Sequence, residues 1–175
     1  VRSRGLGDVY KRQLEWKNGT VITIDQTKLP DKISLLKMKK CHEVASAIKD
    51  MRIRGAPLIG VAAAYGLALT AHHSKAQEKS GLIREIEQSA EILRKTRPTA
   101  MNLFWAVDRV VKKARETQGS AKAVAKAVVD EAQRMADEDV KANRKIGGHG
   151  AKLIDNGDTV LTHCNAGRLA TVDYG

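Results

Sequence analysis

From Leu14 onward, the chain first alternates apolar and polar residues and then settles into helical spacing. Leu14-Glu15-Trp16 and Val21-Ile22-Thr23-Ile24-Asp25 flank Lys17-Asn18-Gly19-Thr20. Asn-Gly between two strand-like runs predicts a hairpin. Lys28-Leu29-Pro30-Asp31 breaks the strand pattern. From Ser34 to Met51 the spacing is helical, with Leu35, Met38, Cys41, Val44, Ala45 and Ile48 on one stripe. Pro57 to His73 is apolar on every side, which predicts a helix buried all round. Gly60 and Gly66 within it allow neighbouring helices to approach closely.

Three amphipathic helices follow: Lys79–Lys95 with Leu82, Ile86, Ala90 and Leu93 inward, then Ala100–Thr117, then Ala121–Asn143. Thr99 is placed to cap the second of these. Ile146-Gly147-Gly148-His149-Gly150 reads as a hinge and a domain boundary, and Lys152 to Gly157 as the end of a short helix. Asp158 to Cys164 then reads as a buried strand, Asn165-Ala166-Gly167 as a tight turn and Arg168-Leu169-Ala170-Thr171 as a helix start. Strand, small-residue turn and helix open a doubly wound sheet. The expected fold class is therefore α/β: a small hairpin and helical bundle over residues 14–150, then the truncated start of a Rossmann-like domain over residues 151–175. Detached from sheet neighbours, residues 158–175 are expected to be poorly held. Residues 1–13 fit neither part, resemble translated adapter read-through and are set aside.

Composition narrows the class. The chain has 175 residues, about one domain, and only 3% aromatics, which favours a helix-rich protein. The net charge of +11 invites a nucleic-acid reading. Part of it, however, lies in the first 13 residues, and the rest is spread over helices without interleaved stacking aromatics. An anionic small substrate accounts for the charge as well. No apolar run reaches the ~18 residues of a membrane span and no signal-peptide pattern is present, so a cytoplasmic protein is expected. Cys41 and Cys164 are too far apart in sequence for a disulfide framework and are read as thiols.

The candidate chemistry sits at helix starts and at one strand end. Arg54 and Gly55 precede the helix at Pro57, whose free N–H groups and dipole form a natural anion site. Arg97, before Pro98, is a second arginine at a helix start. Cys164 lies at the carboxyl end of the expected strand, where α/β sheets bind ligands; it is either a polarised thiol or a buried structural one. Cys41 is read as a packed core thiol beside an exposed His42. His72 and His73 are adjacent, point in different directions and mark a helix end. Asp137-Glu138-Asp139 splay on a helix and are read as a solvated face, and no metal site is expected.

Three segments in order carry a resemblance: Arg54-Gly55-Ala56-Pro57-Leu58-Ile59-Gly60-Val61-Ala62-Ala63-Ala64-Tyr65-Gly66, Arg97-Pro98-Thr99-Ala100-Met101-Asn102-Leu103 and Thr162-His163-Cys164-Asn165-Ala166-Gly167-Arg168-Leu169-Ala170-Thr171. Residues 14–175 resemble the methylthioribose-1-phosphate isomerase family of methionine salvage, which is related to the regulatory subunits of the exchange factor for initiation factor two. The resemblance implies a cofactor-free aldose–ketose isomerase that takes 5-methylthioribose 1-phosphate to 5-methylthioribulose 1-phosphate. It implies substrate binding by Arg54, Gly55, Ala56 and Arg97, transition-state stabilisation by Cys164, and a homodimer formed through the C-terminal domain. The family's acid/base aspartate belongs to a later stretch, and Asp173 is not promoted to that role. The chain is accordingly read as an incomplete, inactive copy. Two alternatives stand beside it: a non-catalytic subunit like the initiation-factor relatives, and a sibling isomerase acting on 5-deoxyribose 1-phosphate or ribose 1,5-bisphosphate.

Overall fold

The computed structural model describes residues 12–175. Most of the segment set aside as adapter-like lies outside them. Its last two residues are engaged with the rest of the molecule: Gln13 is buried and hydrogen-bonded, and Arg12 pairs with Asp137.

Strands β1 (Leu14–Lys17) and β2 (Thr20–Ile24) form the expected hairpin. Asn18 and Gly19 both take positive φ, 46° and 72°, the pair of left-handed residues that lets a two-residue turn follow the strand twist. Against expectation, a third antiparallel strand, β3 (Leu35–Met38), lies on the other side of β2, pairing Val21 with Met38 and Ile24 with Leu35. The helical stripe over residues 34–51 is therefore split. Its first part completes the backbone pairing of β2, and only Cys41–Lys49 forms helix α1. Glu43 sets the boundary, because its carboxylate accepts from the backbone N–H groups of Lys39 and Lys40 at 2.7 and 2.8 Å.

Helix α2 (Ala56–His73) is the axis of the molecule. Every residue from Leu58 to Leu69 is buried, as its all-round apolar surface requires. Helices α1, α3 (Lys79–Arg94), α4 (Met101–Glu116) and α5 (Ala121–Gly150) pack around it. A Cβ at Gly60 would lie 3.0 Å from the Asn102 carbonyl, so that glycine lets the start of α4 close onto α2. The cap of α4 differs from expectation: Ala100, not Thr99, is the N-cap, and no side chain caps it.

Helix α5 runs through the expected hinge at residues 146–150. The Tyr174 ring lies over Gly147, where a Cβ would be 3.3 Å from it, and Arg144 stacks on the same ring at 5.6 Å. The acidic triplet on α5 is engaged rather than simply solvated. Asp137 pairs with Arg12, Glu138 with Arg109, and Asp139 accepts the Val172 N–H at 2.8 Å.

Beyond α5 the expected strand does not form. Residues 151–166 are exposed and carry no helix or strand, with Leu161 96% exposed. A parallel strand needs neighbours on its edges and layers on its faces, and the described residues provide neither. The expectation of poor holding fits this stretch but not the next, because Ala170, Thr171 and Val172 are buried against the helical unit. Only a short 3-10 turn, Arg168–Ala170, stands where a helix start was expected.

Candidate functional site

The turn between α1 and α2 is shaped by local backbone demands. Met51 ends α1 in the left-handed region at φ 56°, and Gly55 turns the chain into α2 at φ 97°. No side chain caps α2, and Pro57 lies in its first turn. Arg54 and Ala56 are exposed and Gly55 is buried. Among the described residues neither Arg54 nor the half-buried Arg97 has an ion-pair partner, whereas Arg52, Arg94, Arg109 and Arg115 are all paired. Two unpaired guanidiniums suit recognition of an anion.

What sits against Gly55 is the protein itself. A Cβ built there would lie 2.6 Å from the Ala170 carbonyl oxygen and closer still to its Cα. The glycine lets the backbone six residues after Cys164 press onto the Arg54 turn. Arg97 belongs to the turn before α4, where its carbonyl accepts from the Ala100 N–H at 3.0 Å. The Gly60–Asn102 contact brings the start of α4 onto the first half of α2. Parts of all three motif segments thus meet around one end of α2.

Cys164 itself is exposed, at φ 64°, on the open stretch before that contact. It is not the buried structural thiol of the alternative reading. Cys41 is: it is buried, its Sγ approaches the Ser89 carbonyl at 3.9 Å, and burial pushes the thiol up to about 11.

Sequence reasoning passed over the corner formed by Asp25 and Gln26. Asp25 is 1% exposed and accepts from Arg52 Nε and Nη2 at 2.8 and 2.7 Å and from the Thr27 hydroxyl and N–H. Burial alone would raise its carboxyl. The hydrogen bonds from Arg52 and Thr27 outweigh that and hold it below the usual carboxylate range. The next residue, Gln26, donates its N–H to the Arg52 carbonyl at 3.0 Å. Its side-chain Nε2 donates to the Leu169 carbonyl at 2.7 Å and, at a longer 3.5 Å, to that of Arg54. The only advance signal was an acid–amide pair at a strand end, which alone predicts no more than a turn.

A cleft of about 880 Å3 lies elsewhere, between α3 and α4, lined by Arg84, Glu91, Arg94, Asp108 and Arg115 among others. None of Arg54, Gly55, Ala56, Arg97 and Cys164 borders it. Its arginines 94 and 115 are tied up in ion pairs, and it is best described as a solvated groove between helices.

Residues 52–172 match the model of the initiation factor 2 subunit family. The chain belongs to that family. A methylthioribose-1-phosphate isomerase of Crocosphaera subtropica is 43% identical over 163 residues, 91% of this chain and 47% of that protein. The crystal structure of 5-methylthioribose 1-phosphate isomerase from Pyrococcus horikoshii superposes with a TM-score of 0.89 at 46% identity, covering 95% of this chain and 47% of the other. Another family member, the translation initiation factor eIF-2B subunit delta from A. fulgidus, superposes with a TM-score of 0.84 at 43% identity, covering 94% and 48%. This family member spans about half the length of the relatives it matches. The part shared with both solved structures is the three-stranded sheet and five-helix unit described above.

Proposed function

We propose that the chain is the N-terminal half of an aldose–ketose isomerase acting on 5-methylthioribose 1-phosphate and that its own residues form the phosphate side of the pocket. One observation carries the reading: the turn bearing Arg54, which has no ion-pair partner among the described residues, is packed directly onto the segment that follows exposed Cys164, through Gly55 and Ala170. The relatives named as this isomerase, at 43% and 46% identity, support it.

The chemistry suits the residues. A phosphoester on C1 blocks simple opening of the sugar, so ring opening needs help before hydrogen moves between C1 and C2. Arg54, the first-turn N–H groups at Gly55-Ala56 and, from the next helix start, Arg97 bind the phosphate dianion. Cys164 stabilises charge developing on the sugar oxygens. Proton transfer requires an acid/base group, which this reading assigns to sequence beyond Gly175; the 175-residue chain alone is then inactive. No cofactor is called for. The protein is read as a cytoplasmic homodimer working without nucleic acid or membrane.

The test is isomerase assay of a full-length form beside the 175-residue chain. Turnover by the former, and a drop of roughly 10²-fold or more in Cys164→Ala, is the expected result. Wild-type turnover in Cys164→Ala would remove the cysteine from the mechanism. Activity in the 175-residue chain would contradict the division of labour. A second reading, a non-catalytic subunit, is favoured by the similarity to the A. fulgidus factor at nearly the same identity. It predicts no turnover by the full-length form on any of methylthioribose 1-phosphate, 5-deoxyribose 1-phosphate and ribose 1,5-bisphosphate. Preference among those three would identify a sibling isomerase.

A further inference from the structure

We infer that Gln26 is a positioning residue that sets the distance between the arginine turn and the cysteine segment, a role that rests on the isomerase reading. Two stretches more than 100 residues apart in sequence must share one register for the proposed pocket to exist. Gln26 reaches both, giving one side-chain amide to the Leu169 carbonyl at 2.7 Å and to the Arg54 carbonyl at 3.5 Å. A primary amide has two N–H donors and suits two acceptors at once.

Gln26 is itself fixed from behind. Its backbone N–H is bonded to the Arg52 carbonyl, and the preceding Asp25 holds the Arg52 guanidinium. The far side of the cysteine segment is fixed as well. Val172 donates its N–H to Asp139 at 2.8 Å and accepts from the N–H groups of Gln13 and Leu14 at 2.7 and 3.2 Å. Between these anchors Ala170 presses on Gly55. The segment after Cys164 is therefore pinned to sheet, turn and helix at once, and Gln26 is the side chain that touches both halves of the pocket.

Donor chemistry separates this role from packing. Gln26→Glu keeps the shape but places a carboxylate against two carbonyl oxygens. Gln26→Lys changes shape and charge but restores N–H donors. Amide hydrogen exchange on the 175-residue chain reads the docking directly, at the N–H groups of Val172, Gln13 and Leu14, with α2 amides as the internal control. Exchange at the three sites is expected to quicken about tenfold or more in Gln26→Glu, with α2 unchanged and with Gln26→Lys close to the parent. Unchanged exchange in Gln26→Glu overturns the inference. So does equal loss in both variants, and so does loss that spreads through α2, which would make Gln26 a general stabiliser.

In a full-length form, Gln26→Glu should lower kcat by about 10- to 100-fold with KM within about twofold, because the phosphate contacts survive while the reacting geometry loosens. A change confined to KM overturns the positioning role. If the parent enzyme shows no isomerase activity, the functional reading fails, and the exchange measurement still decides whether Gln26 holds the two segments together.

Discussion

Gly55 combines a left-handed backbone with a neighbour where its side chain would be, and the two costs compound. With ψ at 130° the residue lies outside the αL well, in backbone space that an L-residue enters at a cost of about 1–3 kcal/mol. Gly55→Ala must also push Ala170 away. The expected outcome is a melting temperature lower by several degrees, at about 2–4 °C per kcal/mol for a chain of this size, together with faster exchange at the Val172 amide. A Gly55→Ala protein with parental exchange at Val172 would show that the contact is soft. One buried and one half-buried aspartate titrate in opposite senses. Asp25 is held below its usual range, so its stabilisation is present above the unfolded-state carboxylate range and is lost as pH falls through the depressed folded value. Asp139 is raised by burial, which outweighs its hydrogen bonds from Val172 and Asn143. Its stability contribution is full at low pH and is lost as pH rises through the elevated folded value. Asp25→Asn should therefore flatten the acid side of a stability–pH curve, and Asp139→Asn should cost least at neutral pH. Parallel curves for both variants would refute this assignment.

At the scale of elements, α1 ends on a residue chosen against its backbone. Met51 takes φ 56° after the last turn while its side chain is half exposed, and the Arg52 N–H bonds back to the Ala47 carbonyl at 2.9 Å. Met51→Gly should raise stability by about 1 kcal/mol, since glycine is the preferred residue at this helix end. A lower denaturation midpoint would mean that the methionine packs more usefully than its exposure suggests. The same scale shows what the sequence could reveal. The Asn18-Gly19 hairpin and the all-apolar α2 were legible because each is a local signal with one structural solution. Strand β3 was not, because Leu35 and Met38 fit a helical stripe continuing through Cys41 and Val44, and only pairing with β2 decides for a strand. The glycines at the end of α5 looked like a hinge because Tyr174, which covers the first of them, Gly147, arrives from 27 positions away in sequence. The site followed the same rule. Arg54 and Arg97 stood out from their places at helix starts, whereas Gln26 acquired a role only when Leu169 came within reach.

Across the whole molecule, order is distributed unevenly. The sheet and helices form one continuous core, residues 151–166 run exposed, and the chain is then held again from Ala170 to Val172. Limited trypsin digestion should therefore cut after Lys152 before it cuts inside α2 to α5, and the product should keep its far-UV helical signal. First cleavage within the helices would contradict the exposure pattern.

The backbone hydrogen bonds from Gln13 and Leu14 to Val172 join the two margins of the fold. Neighbouring margins permit circular permutation. A short glycine linker from Asp173 to Arg12, with new ends opened at Lys152-Leu153, would place Cys164 upstream of β1 while leaving every strand and helix of the core unbroken. Such a permutant would carry the cysteine and the arginine turn within one continuous stretch, separated from each other by the sheet and α1.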